Sequence, residues 1–302
     1  MKDVNHLFII NPKAGKYKAA EIKKIIIEQC EKLKLFYRVE IISDIEYAKN
    51  QANEFACEHE DGIVYSVGGD GTLNVIINGI ALTNASLGVI PTGSGNDFFR
   101  MLCDDRKSIT DVTSRTIDGD IEKIDLGIVN GRYFLNSATV GYSAYTAYNA
   151  ELMKKSKIIP RDLIYLASIL YTFLSYKSPY VNIELNGKTI EQKITLLDVC
   201  NGRYYGNGIP IAPKASITDG LFDVYLADDI SKRQIPTILS SLLKGEHEKY
   251  ACVHKYQTDY IKIEAEKLLP CNVDGEIITA QDFEIALIKG KVKVLRPKKT
   301  TV

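Results

Sequence analysis

The 302-residue chain is 45% hydrophobic and 25% charged, and its 38 Lys and Arg balance 38 Asp and Glu to a formal net charge of zero. This is the composition of a globular protein of one large or two ordinary domains, and it excludes a global electrostatic pull toward nucleic acid. The basic runs Lys154-Lys155-Ser156-Lys157 and Arg296-Pro297-Lys298-Lys299 read as solvated surface.

The N-terminal segment has a short apolar run that carries a histidine and meets no small-residue cleavage site, so it does not read as a signal peptide. No stretch reaches the length of a transmembrane helix. Six scattered cysteines without a CxxC pair, and four histidines without HExxH, argue against zinc and for reduced thiols in a cytosolic protein.

In chain order, residues 4–10 read as a buried strand and 18–35 as a helix with Ile22, Ile25, Ile26, Cys30 and Leu33 at helical spacing. A strand over 37–42 follows. Ser43 or Asp44 caps the next helix, whose apolar face is Ala48, Ala52, Phe55 and Ala56. A strand at 62–67, a helix at 72–80 and a strand at 87–90 complete an alternation that predicts a parallel sheet covered by helices. From about residue 120 the pattern becomes short alternating runs around Asn-Gly turns, the signature of hairpins. Further strands are expected at 221–227, 259–264, 271–279, 283–288 and 291–296, with helices at 143–157, 161–176 and 231–244. The fold class is therefore α/β plus all-β. An N-terminal parallel α/β nucleotide-binding domain (1–128) precedes a C-terminal antiparallel β-sandwich domain (129–290).

Three turns fall at the carboxyl ends of the first strands, where such sheets bind ligands. They are Asn11-Pro12-Lys13-Ala14-Gly15, Gly68-Gly69-Asp70-Gly71-Thr72 with Leu73 and Asn74, and Pro91-Thr92-Gly93-Ser94-Gly95-Asn96-Asp97. Glycine at a helix start lets bare backbone N–H groups face phosphate. Asp70 fits such a cradle when Mg²⁺ lies between it and the phosphates. A tight strand-to-helix turn with an Asx cap explains the same glycines without a ligand. Neither the Walker loop nor the GxGxxG fingerprint is present. Late in the chain, Asp219 and Asp223 flank a glycine that reads as an ordinary Asp-Gly turn, with a loop suited to a hard cation as the other reading. Asp274-Gly275-Glu276 reads as a hairpin turn or as a general base for phosphoryl transfer. Tyr165, Ile169, Leu170, Phe173 and Tyr176 have the spacing of a core face, and a membrane or acyl-chain face is the other reading.

These elements, with Asn136, Gly141, Asn201-Gly202, Ala212-Pro213 and Asp219-Gly-Leu-Phe-Asp223, resemble in content and order the diacylglycerol kinase/sphingosine kinase superfamily, nearest to the soluble bacterial diacylglycerol kinase-like proteins. The resemblance runs nearly end to end. It implies an active site in a cleft between the two domains, with a tail (about 291–302) that returns to the first. It implies ATP held by Asn11 to Gly15, by Gly68 to Asn74, by Ser94, Asn96 and Asp97, and by Ser43 where the family usually has Thr. It implies Glu276 as proton acceptor with Asp274 beside it. Asp70, Asp97 and Asp125 would surround the catalytic Mg²⁺, and Ser216, Asp219 and Leu221 would hold a structural one. The expected reaction is phosphorylation of a lipid hydroxyl, diacylglycerol to phosphatidic acid, by a cytoplasmic enzyme peripherally attached to the inner face of the membrane, with a homodimer compatible by analogy. Gly68 to Thr72 is shared with NAD kinases, so a NAD kinase-like enzyme is one alternative. A non-catalytic nucleotide- or lipid-binding regulator is the other.

Overall fold

The computed structural model describes residues 5–15, 17–103, 108–155, 159–160 and 163–299. Ser156 and Lys157 of the basic run, the first two residues of the expected 161–176 helix, and residues 300–302 of the tail lie outside them. The chain forms two compact units, Met1–Leu126 with Ile288–Val302, and Gly127–Leu287.

The first unit begins β1 (His6–Ile10), α1 (Ala19–Lys32), β2 (Tyr37–Ile41), α2 (Ile45–Glu58), β3 (Ile63–Gly68), α3 (Asp70–Ile80) and β4 (Ser86–Pro91). Two helices follow, α4 (Phe99–Leu102) and α5 (Ile109–Ile117), and then β5 (Asp120–Val129). β1 pairs in parallel with β2 on one side and with β3 on the other; β3 pairs in parallel with β4, and β4 with the last strand of the chain. The chain thus reverses its winding between β1 and β3, and the carboxyl ends of these two strands open the crevice where ligands bind in open α/β sheets. Phe8, Ile10, Tyr65, Val67 and Ile90 alternate onto one face of the sheet. There they meet Ile22, Ile26 and Cys30 of α1 and Ile117 of α5. α3 starts two residues earlier than the sequence predicts, because the glycine turn is itself the first turn of the helix. α5 was not anticipated. Its Ile, Val and Thr content has strand character, and a Ser108 cap on the Asp111 N–H makes it helical.

His6 is almost fully buried beneath Tyr65, whose hydroxyl lies 3.1 Å from Nδ1, where a neutral ring accepts the phenol proton. Burial pushes its pKa down to about 4. The unfolded chain, with His near 6.5, binds the proton first as pH falls. Stability from the neutral ring is therefore complete above about pH 6.5 and is lost toward pH 4, a contribution of up to about 3 kcal/mol. Urea denaturation followed by circular dichroism should show this slope, and His6→Phe should remove much of it. An equal slope in both proteins would rule out His6 as its source.

The second unit contains β6 (Arg132–Phe134), β7 (Ser137–Gly141), α6 (Tyr142–Lys155), α7 (Ile164–Ser175), β8 (Tyr180–Leu185) and β9 (Lys188–Cys200). It continues with β10 (Phe222–Asp228), α8 (Ile235–Leu242), β11 (Val253–Thr258), β12 (Tyr260–Val273) and the first part of β13 (Glu276–Arg296). Its pairings are antiparallel, in the order β11-β10-β9-β7-β12-β13, with β8 bridging β9 and β12. Val140, Leu197, Val199, Val224, Ile263, Phe283 and their neighbours form its core.

Three strand expectations need correction. The run 271–279 is not one strand, because Asp274 and Gly275 take positive φ (48° and 94°) and close a two-residue hairpin between β12 and β13. The runs 283–288 and 291–296 are a single strand that passes through Gly290. β11 was not foreseen. The 161–176 helix is also inverted relative to its core reading. α7 buries Ile164, Ser168 and Thr172, and it exposes Tyr165, Leu170 and Tyr171 together with Leu166 and Leu174, each 65% exposed. Of the five residues named for a core face, Tyr176 is buried, Ile169 and Phe173 are half-buried, and Tyr165 and Leu170 face solvent.

Candidate active site

The three glycine-bearing turns of the first unit touch one another. Asn11, just past β1, donates from Nδ2 to Thr72 Oγ1 at 2.9 Å and accepts from the Lys13 N–H through Oδ1 at 2.9 Å. This bond bridges the winding reversal. The Gly68 carbonyl accepts from the N–H groups of Thr92 (2.9 Å) and Gly93 (3.2 Å), which ties the second turn to the third. Gly15, at φ +70°, would place a Cβ 1.5 Å from the Thr92 carbonyl oxygen, and a Cβ on Gly93 would fall 2.4 Å from Gly69 Cα. No side chain fits at either position, so close approach of backbone to backbone is what these glycines serve. Asn96, at φ +52°, holds the third turn with a 2.7 Å bond from Nδ2 to the Gly93 carbonyl.

A cavity of about 530 Å³ opens over this junction, lined by Gly15, Gly93, Ser94 and Asn96 of the turns and by Tyr17, Ser108, Ile109 and Val112. Reading the sequence alone misses the last four. The Ser-x-x-Asp spacing of Ser108 and Asp111 is the one signal of a helix start there. Lys13, Ser94 and Gly71 are exposed; Thr72, Leu73 and Asn74 are buried. Gly71 differs from the packed glycines, since a Cβ there would meet nothing within 4 Å. Ser43 is exposed past β2 and does not line the cavity.

Asp70 opens α3 and accepts from the Phe98 N–H at 3.3 Å. Burial, and then the neighbouring Asp97 charge, raise its pKa above the usual carboxylate range, against the pull of the backbone N–H groups of Phe98, Asp97 and Asn96. Asp97 is buried, with Arg100 Nε 3.7 Å from Oδ1. Two neighbouring acids from adjoining turns suit a cation that offsets their repulsion. Mg²⁺ commonly takes only one or two carboxylates and completes its shell with phosphates and water. Asp125 is buried on β5 and accepts from the Gly290 N–H at 2.8 Å. Among the described residues no group of three or more His, Cys, Asp or Glu is close enough to hold a metal, so the three acids do not form one cluster.

The Ser216–Leu221 loop satisfies itself. Asp219 Oδ1 accepts from the Leu221 N–H at 3.1 Å and Ser216 Oγ from the Thr218 N–H at 3.3 Å.

In the second unit the 274–276 hairpin is anchored through Asp274. Its carboxylate accepts from the N–H groups of Leu135 (2.6 Å), Asn136 (3.0 Å) and Ser137 (2.9 Å). The Asn136 carbonyl in turn receives the N–H groups of Asn201 (2.8 Å) and Gly202 (2.9 Å). Asp274 is thus a positioning residue committed to backbone. Glu276, the first residue of β13, stays half-exposed with Arg132 3.7 Å away, and its carboxylate is the one of the pair suited to take a proton.

The family model of the diacylglycerol kinase catalytic domain matches residues 5–129, and that of the YegS C-terminal NAD kinase beta sandwich-like domain matches residues 137–296. The chain is 30% identical over 253 residues to the diacylglycerol kinase of Bacillus subtilis (strain 168), covering 83% of this chain and 82% of that protein. It is 29% identical over 244 residues to the diacylglycerol kinase of Staphylococcus saprophyticus, covering 80% and 78%. A crystal structure of a diacylglycerol kinase from Bacillus anthracis has the same fold, with a TM-score of 0.73 at 21% identity over 98% of both chains.

Proposed function

Because the chain belongs to the diacylglycerol kinase-like family of lipid kinases, we propose that it transfers the γ-phosphoryl group of ATP to the free hydroxyl of diacylglycerol. The observation that carries this reading is the mutual contact of three glycine turns at the winding reversal of a parallel sheet, the first and third of which line one cavity. That geometry concentrates backbone donors and helix N-termini where phosphates bind. Gly15, Gly69, Gly71, Ser94 and Asn96 hold the nucleotide, with Asn11 and Thr72 fixing the turns. Asp70 and Asp97 would hold Mg²⁺, which when bound would neutralise phosphate charge. In the transfer, the lipid hydroxyl oxygen bonds to the γ-phosphorus, and the bond to the β,γ-bridging oxygen breaks with its electron pair leaving on ADP. The hydroxyl proton passes to Glu276. A NAD-directed kinase is not favoured, since the matched relatives are named diacylglycerol kinases.

Transfer of label from [γ-³²P]ATP to lipids in mixed micelles tests the reading, with diacylglycerol, monoacylglycerol, phosphatidylglycerol, sphingosine and undecaprenol as acceptors beside soluble NAD. Label in diacylglycerol, absent with Asp70→Ala, is expected. Label in NAD alone, or in nothing, would overturn it.

No helix among the described residues is long and apolar enough to cross a membrane. The exposed leucines of α7 supply peripheral contact instead, in a helix that hides its small polar residues and presents its apolar ones. Lys177 follows the end of α7 and Lys232 bonds the Leu174 carbonyl there, so the charge suits an anionic bilayer. Replacing Leu166, Leu170 and Leu174 together with Ser should weaken vesicle binding ~100-fold or more, since each buried leucine contributes ~1.5–3 kcal/mol. Turnover of a water-soluble short-chain acceptor should persist. Unchanged sedimentation with phosphatidylglycerol vesicles would place the contact elsewhere.

A further inference from the structure

The basic run Arg296-Pro297-Lys298-Lys299 reads in the sequence as solvated surface, yet its first three residues are fastened to the first unit. Pro297 is buried. Arg296 donates from Nη1 to the carbonyls of Met101 (3.3 Å) and Leu102 (3.2 Å), which end α4, and from Nε to Glu122 of β5. Lys298 closes on the last turn of α5 at three points. Its N–H donates to the Arg115 carbonyl at 3.2 Å, its ammonium donates to Asp118 Oδ2 at 2.8 Å, and its carbonyl accepts from Arg115 Nη1 at 3.2 Å. Gly119 permits this approach, since a Cβ there would fall 2.6 Å from the Arg296 carbonyl oxygen. Nothing in the phosphoryl transfer described above uses these contacts.

The element they control is α5. It has nine residues, too few to hold a helix by its own backbone bonds, so its neighbours decide where it lies. Its other end faces the cavity, where Ser108, Ile109 and Val112 form part of the wall. Arg115 carries the clamp to that end. Its side chain is 11% exposed, and Nε and Nη2 donate to Asp111 Oδ2 at 2.9 Å and 2.7 Å. The Asp111 N–H in turn donates to Ser108 Oγ at 3.1 Å. Bonds thus run from Lys298 through Arg115 and Asp111 to the cavity wall. Because water is largely kept from Arg115, its pair with Asp111 holds geometry better than an exposed ion pair does. Two further contacts steady the helix from the side: Ser114 Oγ donates to Gln29 of α1 at 3.0 Å, and Arg115 Nη1 reaches Cys103 Sγ at 3.5 Å.

We propose that Arg115 and Lys298 are positioning residues for the nucleotide, an inference that rests on the reading of this cavity as the nucleotide site. The C-terminal tail fixes the far end of α5, and α5 sets how closely Ile109 and Val112 approach a molecule in the cavity. Neither Arg115 nor Lys298 lines the cavity, so both act through the helix. The coupling is reciprocal: a nucleotide that binds better against a clamped α5 tightens the tail on α5 in return.

Two measurements on the full chain test this. In amide hydrogen exchange followed by NMR, ATP with Mg²⁺ should slow exchange at Lys298 about fivefold more than at the edge strand β11, a response that a purely structural tail does not give. In steady-state kinetics with a short-chain diacylglycerol in mixed micelles, Lys298→Ala loses only the ammonium bond to Asp118. Its side chain is 47% exposed, so the variant should fold as wild type and raise the KM for ATP about threefold. Lys298→Arg keeps a cation for Asp118 and should return that KM to the wild-type value. Arg115→Ala breaks the bonds to both the tail and Asp111 and should raise it about tenfold. The KM for lipid and kcat should stay within about twofold of wild type throughout. An ordinary ATP KM in Lys298→Ala, an equal rise in both KM values, no recovery in Lys298→Arg, or exchange at Lys298 indifferent to ATP would each overturn the inference. So would an Arg115→Ala chain that folds and keeps the wild-type ATP KM. A wild-type chain that neither labels lipid nor binds ATP overturns the nucleotide reading along with it, whereas an active wild type with unaltered variants overturns this inference alone.

Discussion

Glu276→Gln lowers kcat for lipid phosphorylation by ~10²–10⁴-fold, the usual contribution of a positioned general base, and leaves ATP affinity within about twofold. Glutamine keeps the size of the side chain and its bond-accepting oxygen but cannot take up the hydroxyl proton. Glu276 is partly exposed, with Arg132 at 3.7 Å, and bears little structural load, so folding should be untouched. The residues proposed to hold the nucleotide belong to the other unit, which separates the two readouts. A single-turnover assay isolates the chemical step, and a Gln variant with unchanged single-turnover rate would remove Glu276 from the role of base.

Asp274→Ala acts through structure first. One carboxylate satisfies three consecutive backbone N–H groups, those of Leu135, Asn136 and Ser137, and Asn136 and Ser137 are buried. Hydrogen bonds to a charged acceptor contribute ~1.5–3 kcal/mol each, and their loss leaves buried donors unpaired, so a destabilisation of about 4 kcal/mol is expected. Asp274 also sits at φ 48°, where Asn is tolerated and Ala is strained. Asp274→Asn should therefore recover part of the loss. Because the same carboxylate fixes the hairpin of Glu276, kcat should fall at least ~10-fold even where the variant is folded. Urea titrations give the first quantity, and a loss below about 1 kcal/mol would show that the three N–H groups find other partners.

The parts of the molecule legible in the sequence are those where local chemistry decides the backbone. Gly15 and Gly93 announce tight turns because a side chain there would collide with neighbouring backbone, and alternating strands and helices announce the parallel sheet. What stayed hidden depends on residues far apart in the chain. The run 271–279 keeps the alternation of a strand straight through Asp274. Only the N–H groups of residues 135–137, more than 130 positions earlier, explain why the chain turns there. Helical spacing in α7 correctly gives two faces, but it cannot say which one is buried. Apolar residues normally take the core side, and Ser168 and Thr172 take it here, with Asn149 bonding Thr172 from α6 at 2.9 Å. The acids expected to gather around a metal divide for a similar reason: Asp70 and Asp97 come from neighbouring turns, whereas Asp125 is set by the strand that bears it.

The interlocked turns also govern which changes the proposed nucleotide site can accept. A side chain at Gly15 collides with the third turn, and one at Gly93 collides with the second, so no loop can be redesigned without rebuilding its neighbour. Mutational routes to a different phosphate donor are thereby confined to the cavity wall, at Tyr17, Ser94, Ser108 and Ile109, where side chains vary without displacing backbone. Gly71 stands apart from both groups. The fold leaves room for a methyl there, so selection against one at that position would act through the bound nucleotide alone.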